Sequence, residues 1–558
     1  MRALITILVS ATITSCAASL TPADIQKGDL LSDASRWKAS TASASTTEPA
    51  APVVLLDSTY VRPPGPTIKV SGGPSASRDL QAAIDGAAPG TIIELTAGAT
   101  FTGNFTLPAK PSPRGTGGGS DWIVIRSSAA DSALPGQGTP ISPSFAPVLP
   151  KLVSSNGDPV IRTMAAAHHY RFIGLEFVAA TKVNTLIKLG TGDETDPSLF
   201  PHHIVFDRCF IHGDSRTTLR RGIALNSAST SIVDSYISDC HEVGADSQAI
   251  CGWNGPGPYR IVNNYLEASG ENLMFGGADA KVPNLVPSDI EIRRNHFRKP
   301  LSWKEGSPDY AGIKWSVKNL FELKNAQRVL IEANVFENVW VEAQTGYAIL
   351  FKSVNQDGSA PWSVTQDVQF KDNIVRHCSG AINIQGTASD QPGGRTKRIS
   401  IRNNLFEDVG GDVWGGDGVF LKVNESASVT IDHNTVVQTG NIITAYGAPS
   451  SDFVFTNNLV RHNAYGVKGD GTAPGIDTLA KYFPAAVFRR NIIIGPQGPR
   501  YPGDNFLPAS TDKVGFASGA TSRYRLGDAS PYRKGATDGS GVGCDFEALP
   551  GIRTGSGD

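Results

Sequence analysis

The sequence is poor in sulfur and in charge. Its six cysteines (Cys16, Cys209, Cys240, Cys251, Cys378 and Cys544) are scattered over 558 residues without a CxxC spacing. That excludes a disulfide scaffold and a cysteine-built zinc site. Cys240 and Cys251 could pair across a loop, but buried free thiols are the expectation for the five beyond Cys16. Charged residues make up only 18% of the chain, with a net charge of −2. No global basic field is available for nucleic acid or an anionic membrane surface. Beyond the N-terminus no apolar run is long enough to span a bilayer. The elements GxSxG, HExxH and the Walker loop are absent, and with them the simplest serine-hydrolase, zinc-protease and nucleotide-binding readings.

The chain does have turn-formers. Glycine (59) and proline (36) together make about a sixth of it, above ordinary usage yet short of low complexity. Hydrophobic content of 40% argues against overall disorder. At the start, Arg2 precedes the apolar "ALITILV" and the small-residue "SATITSCAAS". This pattern predicts an export signal over residues 1–18. "ITSC" resembles a bacterial lipobox, which would place a lipid on Cys16; cleavage near Ala17 or Ala18 is the alternative. The protein is expected to be exported, either secreted, periplasmic or lipid-anchored. Residues 19–75, rich in Ala, Ser, Thr and Pro, are expected to be a flexible tether. In "SASRDLQAAIDGAAPG", Leu80, Ala83 and Ile84 share one helical face, with Ser77 as the expected N-cap.

From there a repeat dominates. "IVFDRCFI", "SIVDSYI", "RIVNNYL", "EIRRNHF", "LIEANVF", "QFKDNIV", "SIRNNLF", "TIDHNTV", "VFTNNLV" and "VFRRNII" align on one polar position. The anchors are Cys209, Ser235, Asn264, Asn295, Asn334, Asn373, Asn404, Asn434, Asn458 and Asn491, spaced 24 to 39 residues apart. Each unit carries two or three short strands of two-residue period, with the excess length in Gly/Pro-rich inserts. Stacked units of this kind predict an all-β parallel β-helix solenoid with an N-terminal capping helix, spanning residues 76–550 and followed by a tail over 551–558. An anchor asparagine tolerates left-handed backbone, and its amide can bond the equivalent groups above and below.

The opening "LQAAIDGAAPGTIIELTAGATFTG", the "IxIRNNxF" coils and the late "SPYRKGATDGSGVGCDFEAL" resemble the right-handed parallel β-helix, or pectate-lyase-like, superfamily. The resemblance implies the fold across roughly residues 75 to 550. It leaves activity open, because lyases, hydrolases, epimerases, tailspikes and adhesins share this architecture. The Asp-Asp and Gly-His-Gly elements of polygalacturonases are absent, as are the "WxDH" and "RxPxxR" elements of common pectate lyases.

The chemistry is therefore sought on the outward positions of strands that follow the anchors. Alternation in "ENLMFGG", "NLFELKN", "YAILFKS", "GAINIQG" and "GVFLKVN" turns Leu273, Phe275, Phe321, Leu323, Ile349, Phe351, Ile382, Ile384, Leu421 and Val423 inward. It leaves Asn272, Met274, Glu322, Lys324, Leu350, Lys352, Asn383, Gln385, Phe420 and Lys422 outward. With coils about 4.8 Å apart, Asn272, Glu322, Lys324, Lys352, Gln385 and Lys422 form a polar ladder. Lysines match uronate carboxylates, and amides match sugar hydroxyls. Lys324 or Lys352 is the candidate base of a β-eliminating polysaccharide lyase, with Lys422 as carboxylate clamp. The same residues are equally those of a solvated exterior.

A second group sits in loops of early coils. Arg221, Gln248, Trp253 and Asn254 are candidate sugar contacts; Trp253 is either a stacking platform or a packed indole. Asp246, Glu271 and Asp279 could converge on Ca²⁺, a hard cation that takes oxygen ligands, which the resemblance to β-helix lyases also implies as a carboxylate neutraliser. Asp246 and Glu271 could alternatively serve a glycoside hydrolase. The expected partner is a polysaccharide, anionic in character, bound by a monomeric chain, with neither nucleic acid nor a membrane span involved. A non-catalytic glycan-binding or surface structural protein remains the alternative from another class.

Overall fold

The recurring anchors form one continuous hydrogen-bonded ladder. In the computed structural model, which describes residues 48–111, 121–388, 390–495, 500–518 and 524–551, the backbone N–H of each anchor donates to the side chain of the next. Cys209 N–H donates to Ser235 Oγ at 3.0 Å, and Ser235 N–H to Asn264 Oδ1 at 2.9 Å. Asn404 N–H donates to Asn434 Oδ1 at 3.0 Å, and Asn491 N–H to Asn505 Oδ1 at 3.0 Å. Asn505 thus extends the row beyond the ten anchors read from the sequence. The left-handed residue is not the anchor itself, as expected, but the one before it, as at Asn403 (φ 55°) and Asn457 (φ 58°). That geometry turns the chain at the corner and aims the anchor amide along the stack.

Around this ladder run three parallel sheets, of 14, 13 and 12 strands among the described residues. Each coil contributes one strand to each sheet, and parallel strands need long crossovers, here supplied by the other two sides of the coil. Equal positions stack in register: Val368 pairs Ile399, and Ile399 pairs Val429. The bore is apolar, with phenylalanine ladders such as Phe297 stacked on Phe336 at 4.3 Å between ring centroids. This is a single right-handed parallel β-helix. Helix α1 (Ala76–Gly86) caps it, burying Leu80, Ala83 and Ile84. Its N-cap is Ser75; Ser77 lies within the first turn and donates to Thr102 O.

The described part of the expected tether, residues 48–75, is attached to the solenoid. Residues 48–60 are laid along the first sheet, where Ala50 N–H donates to Asp367, Val53 N–H to Asp289, and Ser58 O accepts from Arg171. A first-sheet strand, Thr67–Val70, precedes the helix. The expected export signal, Cys16 and residues 552–558 lie outside the described residues. Cys209, Cys240, Cys251 and Cys378 are buried free thiols, and Cys544 is a half-buried one. No helix among the described residues is long and apolar enough to cross a membrane.

Candidate functional site

The third sheet carries the site, and its register decides which residues meet. Strand Phe321–Leu323 pairs with Tyr347–Lys352, placing Glu322 beside Leu350 and Leu323 beside Phe351. The next residues, Lys324 and Lys352, therefore lie side by side on adjacent coils. Lys352 is followed in register by Gln385 and then Asn424. The neighbouring outward row runs Met274, Glu322, Leu350, Asn383, Lys422. The polar ladder thus exists as two rows of one face rather than one line.

Two expected members do not belong to it. Asn272 is fully buried and faces the second sheet: its amide donates to Leu266 O and Arg298 O, and its Oδ1 accepts from Lys299 Nζ at 2.9 Å. Phe420 is buried too, packed against Phe406 and Phe455 in the bore. The cause is common to both. Where the chain enters this sheet, two successive residues face inward (Leu320 and Phe321, Ala348 and Ile349, Ala381 and Ile382), all of them buried. Strict alternation begins one residue later than the sequence pattern suggests.

Glu322 is outward yet inaccessible, with 0% side-chain exposure. Lys352 Nζ approaches its Oε1 at 2.7 Å, and Lys324 Nζ its Oε2 at 3.8 Å. The Lys352 contact lies outside hydrogen-bond angles and is electrostatic. Glu322 therefore holds the lysines rather than touching a ligand. Beside them lies a cleft of about 210 Å³ lined by Asn319, Tyr347, Leu350, Lys352, Asn383 and Gln385, among others. Asn383 Oδ1 is buried there without a hydrogen-bond partner among the described residues. Lys422 extends over the rings of Tyr446 (5.3 Å) and Tyr347 (6.0 Å). Gln385 donates to Tyr446 Oη at 3.0 Å. Burial pushes the phenols of Tyr347 and Tyr446 up, so both are neutral donors.

The second group divides. Lys318, which the sequence reading passed over, makes a short ion pair with Asp246. Burial works against its charge, but Asp246, with Glu271 and Glu322 near, outweighs it and lifts the ammonium above its ordinary range. Glu271 is buried; burial first, then Glu322 and Asp246, push its carboxyl up. Gln248 bridges Glu271 (2.8 Å) and Arg221 (3.1 Å). Asp279 is elsewhere in function. It accepts the N–H groups of Gln356, Asp357 and Ser359, fixing that insert. The Ca²⁺ trio of Asp246, Glu271 and Asp279 is not assembled, and between the first two an ammonium already supplies the positive charge. These residues do not fit the ion.

Trp253 is the packed indole. Its Nε1 donates to Gly192 O at 3.2 Å, and any Cβ at residue 192 would fall 2.5 Å from the ring. Arg221 covers it at 5.5 Å. Asn254 is fully buried and bonded to Glu194 O and Lys281 N–H. Lys318, Asn319 and Tyr446 were missed because they flank strands, and Tyr347 because it opens one at the entry corner. The signal for Tyr446 was its register, one position after Ala445, which pairs Val423.

No family model and no curated protein matches the chain. Among solved structures, a PL6 family alginate lyase, AlyGC, is similar with 14% identity and a TM-score of 0.54, covering 88% of this chain. This chain spans 58% of that protein's length. A GH87 α-1,3-glucanase catalytic unit from Streptomyces thermodiastaticus strain HF3-3 shows 13% identity over 82% of this chain and 72% of its own, with a TM-score of 0.48. At these identities the likeness is one of fold.

Proposed function

We propose that this chain is a β-eliminating lyase acting on an acidic, 4-linked uronate polysaccharide laid along the third sheet. One observation carries the reading: Lys324 and Lys352, on adjacent coils, face one buried carboxylate, Glu322, at the edge of a polar cleft. A hexose ring is comparable in length with the coil rise of about 4.8 Å, so successive sugars can meet successive coils. The fold likeness to an alginate lyase is compatible with this and does not carry it.

The roles follow from the two ion pairs. Lys352, closer to Glu322 at 2.7 Å, takes the role of the acid. Lys324, at 3.8 Å, is less tightly paired and is the base. As the base, its Nζ takes the proton from C5 of the uronate. The C5–H electrons form the C4–C5 double bond as the C4–O bond breaks, and Lys352 gives its proton to the leaving oxygen. Lys422 pairs with a substrate carboxylate, while Asn383 and Gln385 bond hydroxyls. Exchange with solvent restores both lysines.

Hydrolysis is the second reading, favoured by the raised carboxyl of Glu271, the state of a general acid. A panel of uronate and neutral polymers separates the readings. Elimination gives an unsaturated, ultraviolet-absorbing sugar end; hydrolysis gives saturated reducing ends. If no uronate polymer yields the unsaturated end, the lyase reading is wrong. Binding without any product would leave a glycan-binding protein. Consistent with an extracellular polymer, the N-terminal pattern is that of export, which signal cleavage of the full chain in a bacterial host would test.

A further inference from the structure

On the first sheet, far along the sequence from the lysine site, two consecutive coils each begin a strand with His-His. The strands are His168–Ile173 and His202–Asp207, and His168 pairs His202 directly. Neighbouring residues of a strand point to opposite faces, yet here each doublet converges. His169 and His203 adopt left-handed backbone (φ 59° and 54°), which turns each second imidazole beside the first. Nδ1 of His168 lies 2.9 Å from Nδ1 of His169, and Nδ1 of His202 lies 2.6 Å from Nδ1 of His203. Between coils the rings stack, His168 on His202 at 4.9 Å and His169 on His203 at 4.6 Å.

We propose that His169, His202 and His203, with His168 orienting them, bind one transition-metal dication of the class that favours imidazole, such as Zn²⁺. One ligand atom from each of the three lies within 4.8 Å of the others. Tetrahedral zinc, with bonds of about 2.0–2.1 Å, needs donors about 3.3 Å apart, a small rotation of the rings. His168 Nε2 sits 3.1 Å from Lys110 O. A carbonyl only accepts, so that nitrogen carries the proton and Nδ1 presents its lone pair to His169. This is the outer hydrogen bond by which metal-site histidines are held. All three ligands are half-exposed, which leaves a path from solvent.

The rest of the corner argues the same way. In register with His203, later coils place Asp289 against Arg328 and Asp367 against Arg398, each pair joined by two hydrogen bonds. On those coils the charges at this corner neutralise one another. Among the described residues, only the histidine coils stack four like bases there, an arrangement that a cation completes.

The test is a competitive titration of metal-stripped full-length chain with Zn²⁺ against a chromophoric chelator. One Zn²⁺ per chain is expected, and the variant His169→Gln/His203→Gln, which removes two direct ligands, should lose affinity by more than the roughly 100-fold that loss of an outer partner can cost, with an unchanged circular dichroism spectrum. No bound zinc, or equal affinity in the two proteins, overturns the proposal. Should the variant not fold, Cu²⁺ quenching reads the site in the natural chain. The Trp122 ring lies 5.3 Å from that of His169, so Cu²⁺ should quench its emission. Trp122→Phe should remove the saturable component; persistence of that component overturns the assignment.

Discussion

Lys352 Nζ lies 2.7 Å from Oε1 of Glu322 across one coil boundary, and the carboxylate it meets has no exposed surface. A buried charge is tolerated only with its partner, so the lysine is fixed in position by this contact. Lys324→Ala and Lys352→Ala should each lower kcat about 10²–10⁴-fold, measured as the rate of unsaturated product formation. Lys422→Ala should act mainly on KM, because a clamp binds ground and transition states alike. Equal effects on KM and kcat in all three would contradict the division of roles.

The asparagine ladder predicts a stability loss unrelated to activity. Asn404 donates to Phe370 O and Asn434 Oδ1, and accepts from Asn373 N–H, all buried. Asn404→Ala strands several of these groups and should cost about 3 kcal/mol. Denaturant unfolding would measure this, with the elimination rate below the transition unchanged.

Lys299 is fully buried, and burial lowers its ammonium to about 7. Its Nζ meets Ala268 O (2.7 Å), Ser269 O (3.0 Å), Gly270 O (2.5 Å) and Asn272 Oδ1 (2.9 Å). These oxygens belong to the turn that leads into Glu271. Lys299→Met keeps the volume and removes every donor, so it should cost about 3–5 kcal/mol. A melting temperature equal to that of the natural chain would show that the turn closes without the ammonium.

Glu267 gives a pH dependence. Burial first, then Asp239, pushes its carboxyl from 4.5 to about 7. Between those values the folded state holds a proton that the unfolded chain has lost, so stability falls as pH rises through that window. Above about 7 the full penalty applies, on the order of 3 kcal/mol. Glu267→Gln should therefore be more stable than the natural chain near pH 8 and about equal to it near pH 4.5. Parallel melting curves at the two pH values check the sign.

The repeat, the bore and the ladder were legible in the sequence because each is a local pattern copied many times. An inward apolar residue every second position and one polar anchor per turn recur whatever the inserts do. Asn404 thus declared its place without any tertiary information, and Lys324, Lys352 and Lys422 were found on the correct sheet. The misreadings came where that periodicity is interrupted. At the sheet's entry corner two residues in succession face inward, which moved Asn272 and Phe420 from the surface to the interior. Asp279, Asn254 and Trp253 were spent on holding loops, and a loop's partners are not encoded in its own spacing. What only the tertiary structure decided is which charges share a neighbourhood. Glu322 between two lysines, Lys318 among three carboxylates and four histidines at one corner depend on insert lengths and on left-handed turns. The sequence determines a coil by its period; the stacking of coils determines the chemistry, because residues dozens of positions apart become neighbours one coil rise from each other.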